Sequence, residues 1–566
     1  MQSIAPVIGI DLGTCYSCVY SFQKGQLQAL PITSDTNLIA SHVSMQNGEI
    51  SYGRPAVRMG WMNTISYKEV KCIIGRTKGS ITEYNDRRWP FELRGDFYPY
   101  LESRDYDGNI LGYAYPEFVY GLFLQHLANL AADALGMEIQ GVVITVPAFF
   151  TAVQLHATLQ AARLVGLNVL RVLPEPCAAA LPYCLEGVTS RYILVYDLGG
   201  GTFDVTIIKN TNGDYRVINT KGNHSLGGSD FDYLLAEYIR HKLEIRGITF
   251  LPISRLYQKL VYMAEQAKIR LNYSTSTHIE LNDLCSDDQL VNEVIDIDRQ
   301  LFESLILDKL KQTIRTCHEC LDEVNIKLGR EDTILLVGGS SRIPLVEKLL
   351  EQKFPDTPIK MDDPDEVVAK GACITAVKSY DPTGNTFANV SVSQYSIFNY
   401  YYSIDNGERK MLVEKDTSLN TIVTRLFEVK TDDQKLYVWQ YVDNEFICVG
   451  WVDIVAYLGV MQLKVSFNSC NEIELCINGT KVQLFYFCEL MENEKEKLTR
   501  LSSLWRDIRK AKNTLRYNPE EGAEPYLTEV EKISMSVAFR VPTDTVLEYI
   551  DQVHNLILQF YGHLIK

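Results

Sequence analysis

Short β-branched runs interrupted by glycine set the pattern at the start of the chain. Residues 7–14 read Val-Ile-Gly-Ile-Asp-Leu-Gly-Thr, and residues 193–202 read Ile-Leu-Val-Tyr-Asp-Leu-Gly-Gly-Gly-Thr. A second apolar run follows each, Cys18–Tyr20 and Val205–Ile208. This pattern predicts a strand, a tight glycine turn and a returning strand. The hairpin recurs at domain-sized spacing, so a duplicated lobe with a cleft between its halves is expected. A third glycine turn, Gly338-Gly-Ser-Ser-Arg-Ile-Pro344, follows the run Ile334–Val337. Helical spacing then covers 345–354 and about 364–378, where the small residues Ala369, Gly371 and Ala372 would permit close packing. Tyr380-Asp-Pro-Thr-Gly-Asn385 is turn chemistry without periodicity and predicts a boundary.

From about 390 to 490 the period changes to two. Tyr, Val and Phe alternate with polar residues, as in Lys435–Val442 and Gln462–Phe467, with Asn-Gly turns at 406–407 and 478–479. An all-β module, a small sandwich, is predicted. Tyr400–Tyr402 could line a peptide groove, but strand aromatics are more often sheet core. From Met491 onward the period is helical. Leu498, Leu501, Trp505 and Ile508 share one face; Val546, Tyr549, Ile550, Val553, Leu556, Ile557, Phe560 and Leu564 share another. Pro519 and Pro525 punctuate the turns, so two or three packed helices are expected.

The 566 residues are 46% hydrophobic and 22% charged, a globular composition sufficient for roughly three to five folding units. The formal charge of −16 argues against broad binding to nucleic acid or anionic membranes. No apolar run reaches membrane-spanning length, so no membrane association is expected. Met1–Pro6 lacks the basic start and apolar core of a signal peptide, and Gly562–Lys566 is not an ER-retention tetrapeptide. Thirteen cysteines without framework spacing read as reduced thiols of a cytoplasmic protein. Two C-x-x-C pairs, Cys15/Cys18 and Cys317/Cys320, have no partners at zinc-finger spacing and read as buried or incidental thiols. Cys15, close to the first turn, is a candidate for oxidation sensitivity.

Glycine turns suit a phosphate chain, because only glycine brings backbone N–H donors close with no Cβ in the way. Asp11 and Asp197, at the ends of the two strands, would face each other across the cleft. Paired carboxylates repel unless a cation lies between them, which implies Mg²⁺ held through water. Thr14 and Thr202 add hydroxyls. No G-x-x-x-x-G-K-[ST] sequence occurs, so this is not a P-loop. A single such turn is usually only a turn. Two copies and a third glycine turn point instead to a two-lobed nucleotide phosphotransferase or ATPase.

Six stretches carry a family resemblance: 8–19 (I-G-I-D-L-G-T-C-Y-S-C-V), 143–150, 166–180, 197–205, 226–232 (L-G-G-S-D-F-D) and 337–344 (V-G-G-S-S-R-I-P). In this order, over about residues 1–380, the chain resembles the seventy-kilodalton heat-shock (DnaK-type) chaperones. The resemblance implies an α/β actin-like ATPase domain of two duplicated lobes (1–380). A linker (381–393), a β-sandwich substrate-binding-like domain (394–490) and a short α-helical lid-like domain (491–566) would follow. It implies an ATP-hydrolysing chaperone of unfolded or client polypeptides, using ATP/ADP and Mg²⁺, with K⁺ as a further candidate ion. Asp11, Gly13, Thr14, Cys15 and Tyr16 would form the first phosphate turn, and Gly199, Gly200, Gly201 and Thr202 the second. Asp11, Asp197 and Asp204 would organise the metal. Lys71, Glu175, Asp197 and Thr202 would be catalytic, Lys71 orienting the attacking water. Gly228, Glu265, Lys268, Asn272, Gly338, Gly339, Ser340, Arg342 and Asp365 would complete the nucleotide site.

Departures from the family pattern carry their own expectations. Cys15 replaces a threonine, Ser229 a glutamate and Asn272 a serine. Ile269 stands where an arginine stacks on adenine, which predicts weaker ATP affinity. Leu155 stands where the family has a relay arginine, and residues 380–393 lack the acidic, leucine-rich docking string. Both losses count against allosteric coupling. They favour the alternative reading, a weakly or non-allosteric protein-binding or assembly factor with a dedicated partner. Arg171 matches a contact residue for J-domain co-chaperones, and a nucleotide-exchange factor is a further candidate partner. The acidic C-terminal tetrapeptide that docks helical-repeat co-chaperones is absent. A sugar or acid kinase of the same superfold is disfavoured by the stretches at 166–180 and 226–232.

Overall fold

The structure is a computed structural model of the whole chain. It describes residues 6–565 except 32–35, 63, 85–88, 96–97, 106, 186–189, 212–213, 224, 249–254, 282–283, 287–288, 292, 382–386, 388–390, 394, 406, 431–433, 443, 455–458, 487–491, 518–522 and 540–543. The Asn406 turn, Pro519 and much of the expected linker therefore lie outside the described residues.

Two sheets repeat one topology. In the first, β1 (Val7–Asp11), β2 (Tyr16–Gln23) and β3 (Gln26–Ala29) run antiparallel, while β4 (Gly141–Val146) and β5 (Val169–Pro174) add in parallel beyond β1, giving the order β5-β4-β1-β2-β3. In the second, β6 (Tyr192–Leu198), β7 (Phe203–Thr211) and β8 (Asp214–Asn223) are antiparallel, and β9 (Thr333–Val337) and β10 (Ile359–Lys360) add in parallel beyond β6. This is the duplicated two-lobe arrangement expected from the repeated hairpin. Central strands are buried along their length, as β4 is at all six positions, because helices cover both faces.

In the first lobe these helices are α1 (Pro116–Leu135), α2 (Ala152–Leu164) and α3 (Glu175–Leu185). Thr151 caps α2 in a reciprocal capping box with Gln154. In the second lobe, α4 (Gly228–Ile245) and α5 (Arg255–Leu271) pack together. Next, α6 (Val367–Tyr380) crosses from the second lobe back to β1 and α3. A Cβ on Gly371 would lie 1.8 Å from the carbonyl oxygen of Ala178, so the small residues of α6 do set its approach to α3.

Residues 399–486 form two antiparallel sheets. One orders Lys410–Val413, Asn399–Ile404, Lys435–Val442, Glu445–Asp453 and Phe485–Tyr486; the other orders Val423–Val429, Gly459–Phe467, Ile473–Ile477 and Thr480–Val482. Their period-2 strands point Leu436 and Val438 from one sheet, and Leu463, Val465 and Leu475 from the other, into a common core. Tyr400 and Tyr402 are buried there, and Tyr401 lies on the other face against Tyr441 and Phe446. Three helices follow: α7 (Glu492–Tyr517), α8 (Ala523–Ala538) and α9 (Asp544–Ile565). Leu501, Trp505 and Ile508 of α7 are buried. On α9, Ile550 and Ile557 are buried but Tyr549 and Leu556 are exposed, because only one side of this helix meets α7. The side chains of Leu498, Phe560 and Leu564 are outside the described residues. No helix among the described residues is long and apolar enough to cross a membrane.

Beyond α6, the described strand at 391–393, the two sheets and the terminal helices make contacts with the lobes. Ser391–Ser393 (β11) pairs in parallel with Asp214–Arg216 of β8 and extends the second sheet. Residues 391–393, at the end of the expected linker, therefore dock although the acidic, leucine-rich string is missing. A strand edge is recognised by backbone hydrogen bonds, which make no demand on those side chains. The Gln440 side chain accepts from the Ala152 N–H at 2.8 Å. Glu472 accepts from His156 Nδ1 and from Arg163, both at 2.9 Å, and from Asn468 at 3.0 Å. The His156 ring stacks on Tyr486 at 3.7 Å between centroids. Leu155 lines an apolar cavity of about 100 Å³ with Pro147, Phe150, Phe398 and Phe467. Trp505 stacks on Phe118 of α1 at 5.8 Å, and Phe539 meets the same ring at 5.5 Å. First lobe, sheets and terminal helices share one continuous apolar core.

Candidate nucleotide site

The two glycine turns meet at the base of the interlobe cleft. β1 ends at Asp11 and β6 carries Asp197, so the repeated topology itself brings the two carboxylates together. The Gly199 N–H donates to the Thr202 carbonyl at 3.0 Å, closing the second turn, and Gly228 N–H donates to the Gly199 carbonyl at 2.9 Å. Ser41 Oγ donates to the Gly13 carbonyl at 2.8 Å, and Gly13 N–H donates to Ser17 Oγ at 3.1 Å. The turns touch each other: a Cβ on Gly200 would lie 2.4 Å from Cys15 Sγ. At the third turn Gly338 adopts φ +80°, and a Cβ there would strike the Leu198 carbonyl at 2.5 Å. Only glycine serves at both positions.

Charge on this floor is unbalanced. Thr145 Oγ1 donates to Asp11 Oδ1 at 3.0 Å. Burial and the neighbouring Glu175 push the Asp11 carboxyl up to about 7. Burial, Glu175 and Asp11 hold Asp197 well above the carboxylate range, and burial with Asp197 does the same to Asp204. The one cation among these groups is Lys71, on the short 3₁₀ turn Val70–Cys72, in a buried ion pair with Glu175. Burial opposes its charge, but Glu175 and Asp11 outweigh that and hold the ammonium above its ordinary value. Asp204 Oδ1 is buried with no hydrogen-bond partner among the described residues. No three His, Cys, Asp or Glu side chains among them are placed to chelate a metal together. Excess buried negative charge without a chelating cluster fits a cation held through its water shell.

The cavity above this floor has a volume of about 350 Å³, adequate for a nucleotide. It is lined by Asp11, Gly13, Thr14, Cys15, Tyr16, Lys71, Glu175, Asp197, Gly199, Gly200, Thr202, Glu265, Lys268, Asn272, Gly338, Gly339, Ser340, Arg342 and Asp365. Of the residues expected there, Gly201, Gly228 and Asp204 are not in the lining. Gly201 faces Thr14, Gly228 starts α4 beneath Ser340 and Lys268, and Asp204 stands behind Asp197. Tyr16 OH donates to Glu265 at 3.0 Å across the lobes, and Arg342 Nε donates to Asp365 at 2.7 Å. Lys268 is committed to Asp232 at 2.8 Å and to the Gly228 carbonyl at 3.0 Å, so it ties α5 to α4. Asp232 closes the quoted stretch 226–232 but had no assigned part. Tyr273, also in the lining, had no signal in spacing or periodicity.

Cys15 Sγ lies 3.1 Å from Ser229 Oγ, so the two substituted positions contact each other. Burial, and then Glu69, push the Cys15 thiol well above its ordinary value. A raised thiol counts against oxidation sensitivity at Cys15, because the thiolate is the reactive form. Cys317 and Cys320 are buried on one helix, without a metal-ligand cluster among the described residues. Arg171 sits half-buried on β5, opposite Val143.

Comparison with known proteins bears on the same region. The family model described as Hsp70 protein matches residues 7–443. The chain is 37% identical over 373 residues to a chaperone protein HscA homolog of Aliivibrio fischeri (strain MJ11), covering 65% of this chain and 57% of that protein. It is 37% identical over 372 residues to chaperone protein HscA of Escherichia coli O139:H28, with the same coverage of 65% and 57%. A homolog from Haemophilus influenzae (strain PittGG) is 36% identical over 384 residues, covering 66% of this chain and 59% of that protein. The match thus spans a little under three fifths of these relatives' length.

Proposed function

The chain belongs to the Hsp70 family, and from that premise we propose that it is an ATP-binding and ATP-hydrolysing chaperone that couples nucleotide state to binding of unfolded or client polypeptides. The carrying observation is the excess of buried carboxylate, with one paired lysine, where two glycine turns meet. Bound Mg²⁺ would supply charge neutralisation for phosphoryl transfer at this site. Asp11, Asp197 and Asp204 would hold that ion through its water shell, with K⁺ a further candidate for the same acidic floor. Backbone N–H groups of the turns at 13–16 and 199–202, other than those of Gly13 and Gly199 that close the turns, bind the phosphates with Thr14 and Thr202. Lys71 leaves Glu175 to orient the attacking water and stabilise γ-phosphate charge. Glu265, Lys268, Asn272, Gly338, Gly339, Ser340, Arg342 and Asp365 surround the adenosine, and Gly228 backs that wall.

In this reading residues 1–380 are the ATPase domain, 381–393 the linker, 394–490 a β-sandwich for client segments and 491–566 a short lid. Arg171 would meet a J-domain co-chaperone, a nucleotide-exchange factor would act on the lobes, and the protein would work in the cytoplasm. Titration with ATP and ADP in calorimetry, with Mg²⁺ or with EDTA, tests the core of the reading. Binding that requires the metal is expected, and silence with metal present would sink it. A second reading, a weakly allosteric protein-binding or assembly factor, is favoured by one observation. Leu155 meets Phe398 and Phe467 through an apolar cavity, where a charged relay would be read out by nucleotide state. Model unfolded peptides decide between the two: accelerated hydrolysis supports the coupled chaperone, and indifferent hydrolysis supports the dedicated binder.

A further inference from the structure

Tyr273 is the most exposed large apolar or aromatic side chain among the described residues, 74% accessible, and it lines the nucleotide cavity. Its backbone is pinned. Tyr273 N–H donates to the Arg270 carbonyl at 3.1 Å, ending α5, and the Arg299 guanidinium holds the carbonyls of Leu271 at 2.8 Å and Asn272 at 3.3 Å. An aromatic ring on a fixed backbone at the rim of an open cavity, with no ring stacked on it among the described residues, is a stacking surface.

Two neighbours make that surface directional. Arg342 lines the same cavity, its guanidinium fixed by Asp365, and the Tyr273 phenol lies within electrostatic reach of it. Asn272 Oδ1, in the same wall, is buried with no hydrogen-bond partner among the described residues. Such an acceptor is costly unless a ligand donates to it. Ile269, one turn back, is 38% exposed, but an aliphatic side chain offers a base no π face.

We propose that Tyr273 is the base-stacking wall of this site, clamping the purine ring against Arg342 in place of the planar group that position 269 lacks. The assignment rests on the nucleotide reading above and adds a residue to it. Stacking on an aromatic side chain favours the larger ring system, so purine nucleotides are preferred over pyrimidine ones.

The test is calorimetric titration with Mg²⁺ of ADP, CDP and inorganic tripolyphosphate, the last carrying no base. Tyr273→Ala should weaken ADP binding roughly tenfold, and Tyr273→Phe should keep it within about twofold, as expected for a stacked base. Ile269→Ala should change little. Adding Ile269→Arg to Tyr273→Ala should restore most of the loss, because a guanidinium also presents a planar face. Tripolyphosphate affinity should be equal in all of these. Unchanged ADP affinity in Tyr273→Ala, or a parallel loss for tripolyphosphate, would overturn the assignment alone. Wild-type protein that binds no ADP would overturn the nucleotide reading and this assignment with it.

Discussion

Buried carboxylates occur in two parts of the molecule and are treated in opposite ways. On the cleft floor, Asp11, Asp197 and Asp204 share one lysine with Glu175, and burial drives their pKa values up. Where α2 meets the β module, burial also pushes the Glu472 carboxyl up, but hydrogen bonds from His156 and Arg163 outweigh it and bring it down to about 2. Depth is similar, since Glu472 and Asp197 are each 8% exposed. The difference is whether the protein supplies the positive partner. Glu472 is satisfied from within and works as a structural tie. The floor is left short of positive charge, which marks it as a place for a ligand to complete.

The sharpest way to break this contrast is to remove the lysine paired with Glu175 on the floor. Lys71→Ala should abolish turnover while ATP still binds, a loss of about 10²–10³ in single-turnover rate, as for other preorganised transition-state donors. Unchanged single-turnover hydrolysis would take Lys71 out of the mechanism and leave its pairing with Glu175 purely structural. ATP binding, checked by calorimetry in the same variant, separates the two roles.

Second in size is the satisfied carboxylate. Glu472→Gln should loosen the docking of the β module, with a cost on the order of 3 kcal/mol at neutral pH, read from the fall of its pKa from 4.5 to about 2. A carboxylate with a lowered folded pKa stabilises above its unfolded value, and that contribution disappears as pH drops from 4.5 through about 2. Faster amide exchange in α2 and an earlier denaturant transition are the readouts. Identical exchange in the variant would mean the tie contributes nothing.

The unsatisfied carboxylates predict the opposite sign. Asp11 has a folded value of about 7 against 3.8, so the metal-free protein binds the extra proton and gains stability as pH falls through about 7. Asp204→Asn removes a buried charge with no partner at one oxygen and should stabilise the metal-free protein by on the order of 1–2 kcal/mol. The same variant should lose part of the Mg²⁺ dependence of nucleotide binding. Melting curves in EDTA between about pH 8 and pH 5.5 check this, and a melting temperature that drops on acidification would reverse the sign and refute it.

The cleft was readable in advance and the docking was not, for a physical reason. Asp-Leu-Gly turns must present a carboxylate and bare backbone within a few residues, so Asp11, Gly13, Asp197 and Gly199 declare themselves locally. Gln440 and Glu472 find their partners on α2 across 288 and 316 residues, and neither pair has any spacing to notice. Loss of the arginine at position 155 was visible only as a departure from the family pattern. It counted against allosteric coupling, and the structure places Leu155 in the lining of an apolar cavity beside Phe398 and Phe467. β11 docks through its backbone, which side-chain patterns cannot announce. The apolar stripe of α9 misled in a different way. Period 3.6 identified the helix, but Tyr549 and Leu556 face outward, with no further layer over them among the described residues.

The smallest expected effect sharpens the comparison from the side of the turns. Cys15 replaces a threonine at the point where the first turn touches Gly200 and Ser229, and its half-buried thiol is pushed up, which disfavours a thiolate there. Cys15→Thr keeps a small polar group able to face Ser229 Oγ and should change ADP affinity by less than about twofold, within the usual range for a nearly isosteric swap. Alkylation by iodoacetamide at neutral pH should spare Cys15 in the nucleotide-bound protein, with mass spectrometry locating the modified thiols. Rapid modification of Cys15 with loss of ADP binding would show a thiolate at the turn. The floor would then carry one more negative charge than its carboxylates account for, and the metal would be needed to offset that charge as well.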